Sequence, residues 1–455
     1  PLGLRLVVTR QVRQRPFFAE ILVFQDVEPA LLIRSVIDVP DSVALRCSPA
    51  PAEVDFTLEE GGGRIIRSWS RRNVQAVPRE PGTAPLWMFA PSVFVSTGSY
   101  ENYSRMLAGE FERLGGDAPR AAETARKIVE KCSTPLEKAV AIRDFVARNI
   151  RSAGPGFGAL PLSALTPADR TLESGYGDSA DRAILLGAML KAAGLRREFV
   201  AVSSLGYCNA FLKELNRYPQ RIFDAVLVYL PEEKMYLNDT GEYAAAGAVN
   251  SADRLSLPLP GSRLGAIRPE HRYLSSRSVL YSIRLEPDGS ARIRAEIDYL
   301  GSEFETANRR FSEMLPEKRR QYFEEVAADF SQSARLVGTP KYDFKKYPGR
   351  LSFEVEVPDF AAAGDRRLQF ALPGFGAFVR LVNTADSSRR TPLWRNGAQR
   401  LSIEYRIELP DNFEPVRKYP SRLEFGSYGS ANFTRVFHRG DGVLLIDNTL
   451  TLPVE

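Results

Sequence analysis

Gly175-Tyr176-Gly177-Asp178-Ser179-Ala180-Asp181, running directly into Ala183-Ile184-Leu185-Leu186-Gly187-Ala188-Met189-Leu190, is the stretch on which the reading of this chain turns. The second part is apolar on nearly every face, so it predicts a helix buried at the centre of a domain. The first part supplies that helix with an N-terminus, with Asp178 or Ser179 able to cap a backbone N–H. Gly194 fits its C-terminal end.

Upstream, Thr134-Pro135-Leu136-Glu137 has the form of a capping box with Pro at the first helical position. Leu136, Val140, Ile142, Phe145, Val146 and Ile150 give the helix that follows an apolar face. Between these helices lies a loop, Gly154-Pro155-Gly156-Phe157-Gly158. Downstream come strand patterns at Glu198–Val202, Phe223–Leu230 and Lys234–Asp239, the last two joined by Pro231-Glu232-Glu233. Helices followed by an antiparallel sheet predict an α+β domain. A Pro/Gly-rich stretch, Leu257-Pro258-Leu259-Pro260-Gly261, closes the unit.

Both flanks read as β-rich. On the N-terminal side Leu4, Leu6 and Val8 alternate, Ala19–Phe24 reads as a strand, and Gly61-Gly62-Gly63 turns Val54–Leu58 into Arg64–Trp69. The prolines Pro78, Pro81, Pro85 and Pro91 mark a linker. On the C-terminal side Ile293/Ala295/Ile297/Tyr299, Leu351/Phe353/Val355/Val357 and Leu401/Ile403/Tyr405/Ile407/Leu409 alternate cleanly, with an amphipathic helix around Phe323–Phe330. The expected layout is a multidomain chain. An N-terminal β-rich domain over 1–97 precedes a central α+β domain over 98–265. A C-terminal β-sandwich-like domain with a helical insertion fills 266–455.

Composition narrows the function classes. The chain has 455 residues and a net charge of +5, from 61 basic and 56 acidic residues. That excess is too thin for a nucleic-acid groove, and Arg389-Arg390 and Lys318-Arg319-Arg320 read as solvated faces. No apolar run approaches the ~18 residues of a membrane span. The chain opens without Met on Pro1-Leu2-Gly3 and reads as trimmed, with any targeting segment removed. Cys47, Cys132 and Cys208 are scattered and lack C-x-x-C spacing, which excludes a thiol zinc site and a disulfide framework and leaves one bridge open. Nothing in the sequence asks for a cofactor. The two histidines, His271 and His438, lie outside the central domain.

Three features follow one another: Gly177-Asp178-Ser179 at a helix start, Phe223-Asp224-Ala225-Val226 on a strand, and Leu237-Asn238-Asp239-Thr240 at the end of the next. In this order they resemble the transglutaminase-like superfamily, of papain-type fold. Its members carry Cys at the helix start, His on the strand and Asp at the end of the next strand. The helix dipole favours the thiolate, the His accepts its proton and the Asp orients the His. Val93-Phe94-Val95-Ser96-Thr97 with Tyr100 and Tyr103 resembles the entry to this domain in a bacterial three-part group. Asp288-Gly289, Gly301, Leu372-Pro373 and Arg390-Thr391-Pro392-Leu393 resemble that group's C-terminal flanking domain.

The resemblance assigns Ser179, Asp224 and Asp239 to the catalytic Cys, His and Asp positions, so two of the three depart from it. A carboxylate at the base position is weaker than imidazole by roughly 3.5 kcal/mol, and a helix N-terminus returns only about 0.3–1 kcal/mol. The double departure reads as a decayed site, with Asp224 left as a structural hydrogen-bond partner of Ser179. The leading expectation is a non-catalytic binding protein that holds a peptide, protein or cell-envelope ligand in the old cleft. By the same resemblance it would be an exported bacterial protein. Two rivals stand beside it. One is an amidase- or peptidase-like hydrolase or acyl-transferase using Asp178, Asp181, Asp224 and Asp239 as a carboxylate pair or hard-cation site. The other is a purely structural module. Cys208 as a relocated nucleophile, and Tyr176, Tyr207 and Trp394 as groove aromatics, are lesser candidates.

Overall fold

The computed structural model describes residues 16–452, apart from 239, 365–366, 375, 379–387, 395–398, 412, 414–421, 426–431 and 441–442. The expected strand at Leu4–Val8 and the candidate residue Asp239 therefore lie outside the described residues, as does the side chain of His438.

The N-terminal part forms two three-stranded antiparallel sheets. Strands β1 (Ala19–Val23), β2 (Ala30–Pro40), β3 (Arg46–Cys47), β4 (Asp55–Gly61), β5 (Arg64–Val74) and β6 (Ser92–Ser96) pair in the orders β1-β6-β3 and β2-β5-β4. The triple-glycine turn joins β4 to β5, with Gly62 and Gly63 at positive φ. Phe24, Trp69, Val93 and Val95 fill the core between the sheets. The proline linker is no loose tether. Ala84 N–H donates to Pro392 O at 3.0 Å and Trp394 N–H to Gly82 O at 2.7 Å. The Glu80 carboxylate accepts from the backbone N–H groups of Arg390 and Thr391. Arg389, expected on a solvated face, donates to Pro81 O and Thr391 O with its side chain only 12% exposed. Trp394 accordingly belongs to this clasp.

The central part opens with helices α1 (Tyr100–Gly116), α2 (Pro119–Val129) and α3 (Pro135–Asn149). The Thr134/Glu137 capping box is present at α3. After the short strand β7 (Arg151–Ser152) come α4 (Ala168–Ser174), β8 (Tyr176–Gly177) and α5 (Ser179–Ala192). Every residue of α5 from Ala180 to Leu190 is buried, because α1 to α4 surround it and a sheet backs it. Gly194, at φ +79°, ends it, with Leu195 N–H reaching back to Leu190 O. The sheet is antiparallel, with β9 (Glu198–Gly206), β10 (Phe223–Leu230), β11 (Met235–Leu237), β12 (Arg254–Leu259) and β13 (Gly265–Ala266) in the order β11-β10-β9-β12-β13. Helix α6 (Asn209–Arg217) links β9 to β10. The stretch expected as a closing linker is thus largely strand β12. Pro258 is tolerated there because β13 pairs only with Leu255 and Ser256, so no partner asks for its missing N–H.

The C-terminal part is one nine-stranded sheet. It is built from β14 (Ser276–Leu285), β15 (Ala291–Leu300), β16 (Arg335–Leu336), β17 (Lys341–Asp343), β18 (Gly349–Val357), β21 (Gln399–Glu408), β22 (Arg422–Phe425), β23 (Asn432–Gly440) and β24 (Val443–Leu452). A separate ribbon, β19 (Ala362–Gly364) with β20 (Arg367–Gln369), stands apart. The predicted alternation holds: Ile293, Phe353, Val355, Ile403 and Tyr405 point inward. The expected helical insertion, α7 (Gly301–Glu313) and α8 (Pro316–Ala328), packs on the sheet core through Phe304, Phe311 and Phe323. Arg319, read from sequence as solvated, turns back to the carbonyls of Phe311 and Met314.

Candidate functional site

The site is the seam between the N-terminus of α5 and the start of β10. Asp178 is the N-cap of α5. Its Oδ1 accepts from Ala180 N–H at 2.7 Å and Asp181 N–H at 2.9 Å, while Asp181 Oδ2 reaches back to Asp178 N–H. Asp181 Oδ1 also accepts from Thr166 N–H at 2.7 Å. Both carboxylates are buried, and burial pushes the Asp178 carboxyl above its ordinary value despite the amides it accepts.

Ser179, half-buried, occupies the first helical position. Its Oγ accepts from Val226 N–H at 2.8 Å and lies 3.3 Å from Val226 O, to which its hydroxyl donates. Both hydrogen-bonding directions of the hydroxyl are therefore spent on the backbone of one β10 residue. The capping reading gives way to a different one. Asp178 is the cap, and Ser179 ties the helix to the strand.

Asp224 does not reach Ser179. The β9/β10 register slips between Phe223 and Ala225, so Asp224 is the extra residue of a bulge. Its Oδ2 accepts the N–H of Ser204 on β9 at 2.8 Å. The expected Ser179–Asp224 hydrogen bond is thus corrected: the bulge turns the carboxylate to the neighbouring strand instead. Asp239 lies outside the described residues, and no hydrogen bond joins Ser179 to Asp224.

Asn238 completes the seam, and the sequence reading passed over it. Its Nδ2 donates to both Ser179 O and Val226 O, each at 2.8 Å, joining helix start, β10 and the end of β11. It sits at φ +96° and is 7% exposed, and its Oδ1 has no hydrogen-bond partner among the described residues. An Asn at the end of a predicted strand, a residue type that tolerates left-handed backbone, was the available signal. Arg143 was the other omission. It falls in the apolar register of α3, is 3% exposed, and donates to Thr240 Oγ1 at 2.9 Å and to Gly241 O and Ala244 O at 2.8 Å each. It thereby fixes the loop leaving β11. Arg182, also buried, is pushed below its usual range by burial and by the Arg143 guanidinium.

The Gly-rich loop crosses this seam. A Cβ at Gly154 would lie 3.7 Å from Asp178 Cβ, one at Gly156 3.4 Å from Asp224 O, and one at Gly158 only 2.3 Å from Phe223 O. Glycine at 158 is required by that approach to a carbonyl, which cannot swing away. Phe157, 4% exposed, anchors the loop edge-on against Phe111. On the far side, the junction motif holds the segment entering β10. The Ser96 hydroxyl donates to Pro219 O at 2.6 Å, Tyr100 Oη accepts from Gln220 N–H at 3.1 Å, and the Tyr100 and Tyr103 rings pack on Phe223.

Among the described residues, no group of three or more His, Cys, Asp or Glu side chains is placed to hold a metal. Asp178, Asp181 and Asp224 all point at backbone amides instead of sharing a cleft. All three cysteines are free, which settles the open bridge, and Cys208 precedes α6. Tyr207 lies under Arg268 at 5.3 Å and Tyr176 is 59% exposed. His271 contacts Arg400 at 3.1 Å, at an exposed position remote in sequence from the seam. No helix among the described residues is long and apolar enough to cross a membrane.

Residues 122–205, from α2 through most of β9, match the transglutaminase-like superfamily. No curated protein matches the sequence. Among solved structures, the chain is similar to a "putative protease" from Parabacteroides distasonis. The TM-score is 0.54 at 15% identity, covering 97% of this chain and 70% of that one. A "putative cysteine protease" from Cytophaga hutchinsonii, also 15% identical, covers 49% of this chain and 78% of its own, with a TM-score of 0.20. At such identity the first likeness is one of fold, and it extends over the flanking β-rich parts as well as the centre. The buried helix, the sheet behind it and the family match over 122–205 together give the central part of this chain a transglutaminase-like, papain-type fold.

Proposed function

We propose that this chain is a non-catalytic member of its superfamily, a binding protein for a peptide or protein ligand. The observation that carries the reading is the double engagement of Ser179 Oγ with Val226 N–H and O. A nucleophilic hydroxyl needs a base within hydrogen-bond reach and a face open to the acyl carbon. Here the nearest acceptor is a backbone carbonyl, which takes up no proton near neutral pH. Asp224, the side chain expected as base, is held by Ser204 on the next strand. The hydroxyl acts as a cross-link between α5 and β10, and Asn238 doubles that link through the carbonyls of the same two residues.

The test is a comparison of wild type with Ser179→Ala on peptide-amide and glutaminyl-peptide substrates, reading ammonia release, peptide cleavage and cross-linking. Neither protein is expected to turn over any of them. Turnover by the wild type that vanishes in a folded Ser179→Ala protein would overturn the reading. The transplant Ser179→Cys with Asp224→His gives a second measure. Because the bulge aims position 224 at β9, the new thiol is expected to alkylate no faster than free cysteine.

A further inference from the structure

The N-terminal sheet β2-β5-β4 ends in an open edge. All seven residues of β4 are exposed, and among the described residues β4 pairs only with β5. Antiparallel pairing with one neighbour uses half of a strand's backbone N–H and C=O groups, so the other half faces outward along the free edge. The register sorts the side chains of β4 by face. Phe56 and Leu58 stand opposite Trp69 and Arg67, on the face of the core residue Trp69, with the Phe56 ring 5.3 Å from the Trp69 ring. They are nevertheless 47% and 49% exposed. Asp55, Thr57 and Glu59 take the opposite face. Asp55, Glu59 and Glu60 form no ion pair among the described residues. Arg64, across the turn, does not neutralise them, because its Nε lies 2.7 Å from Asp38 Oδ1 on β2, at the far edge of the sheet.

We propose that the β4 edge takes up a strand of another protein in which basic and apolar residues alternate, as a fourth strand of this sheet. Three features select that occupant. A row of unpaired N–H and C=O groups is satisfied along its length by an extended backbone. A strand laid there sets alternate side chains on the two faces, one set beside Phe56 and Leu58 and the other beside Asp55 and Glu59. Charge fixes the second set as lysine or arginine, because β4 carries Asp55, Glu59 and Glu60 and no basic residue. The same charges exclude a second copy of this chain. With Thr57 antiparallel to Leu58 of another β4, Asp55 falls opposite Glu60, and in parallel register each acid meets its own counterpart. Acidic residues guard an edge against its own kind, and they leave it open to a basic strand. The other edge of the sheet lacks the pattern. There β2 mixes Arg34 with Asp38, and Asp38 is already paired.

Ser179 belongs to the central part and takes no share in this edge, so the catalytic test and this one fail independently. The probe is a fluorescein-labelled heptapeptide of alternating lysine and valine, read by anisotropy against the purified chain. It should bind, and more weakly as salt rises, while a glutamate–valine heptapeptide should not. Asp55→Lys combined with Glu59→Lys should weaken the lysine–valine peptide by about tenfold or more and admit the glutamate–valine one, since opposed charge pairs change sign. The bound lysine–valine peptide should slow amide exchange within residues 55–61 and leave residues 30–40 unchanged. Both substituted side chains are exposed, and a thermal melt checks that the variant folds. Absence of binding by the wild type, equal binding of the two peptides, a folded variant that keeps the wild-type preference, or protection away from β4 would each overturn the proposal. So would a concentration-dependent dimer that the double variant dissociates, or binding that appears only once residues 1–15 are deleted, since each gives the edge another occupant.

Discussion

The seam at the start of α5 and the groove beside α3 are both lined by polar side chains, and they use them in opposite ways. At the seam, Asp178, Ser179, Asp181, Asp224 and Asn238 all hydrogen-bond to backbone groups of this chain. In the groove, which α3 lines with Leu136, Val140, Asp144 and Arg148 beside α7 and residues 342–345, Glu242, Asp343 and Lys345 are exposed next to the buried rings of Phe304, Phe311 and Phe344. The difference teaches that the same residue types serve as architecture where their polar atoms meet the backbone and stay available where they do not. At the seam the side chains satisfy backbone N–H and C=O groups, which are costly to leave unpaired when buried.

The sharpest contrast is between two leucines. Leu185, fully buried in α5, should lose about 4 kcal/mol of stability on replacement by Ala. Leu136, on the groove rim, should lose no more than about 0.5 kcal/mol. Urea melts of the two variants measure this directly, and equal losses would break the distinction between a packed seam and an open groove. Next in size is Asn238→Ala, which removes both 2.8 Å donations and puts a side chain less suited to it at φ +96°. A loss of about 2 kcal/mol is expected, with part of it recovered in Asn238→Gly, which tolerates that backbone. If Ala and Gly destabilise equally, backbone strain at 238 contributes nothing.

The smallest effect is one of pH. A carboxyl raised above its ordinary value holds its proton in the folded chain where the unfolded chain has released it. Asp178 therefore favours folding most below pH 3.8, and that contribution is lost as pH rises through its higher folded value. Asn keeps the cap without ionising. The stability of Asp178→Asn relative to wild type should accordingly improve from acid to neutral pH. A difference that worsens towards neutral would mean the amides outweigh burial at this carboxylate.

Much of the fold was legible because local signals agreed. The apolar run at Ala183–Leu190, the Thr134 capping box and the alternating strands each specified one element unambiguously. What escaped was set by pairing at a distance. Nothing near Asp224 in sequence announces a bulge, since it arises from the register of β9 against β10. Pro258 argued locally for a linker, and only the shortness of β13 makes room for it in a strand. Arg389 read as a surface charge until the clasp with Pro81 and Thr391 enclosed it. The second layer of the C-terminal part was legible as helix around Phe323, but its place over the sheet was not. At the site, the helix start and the strand were found, and the direction of the Asp224 side chain was not.

The account stands most directly on the tether between Ser179 and Val226. Amide hydrogen exchange at Val226, read in wild type and in Ser179→Ala, measures it without reference to any substrate. Loss of the 2.8 Å acceptor should speed Val226 exchange by about tenfold or more, while Leu230, at the far end of β10, stays as protected as before. Unchanged protection at Val226, together with a hydrolytic activity lost in the same variant, would contradict it and return Ser179 to chemistry.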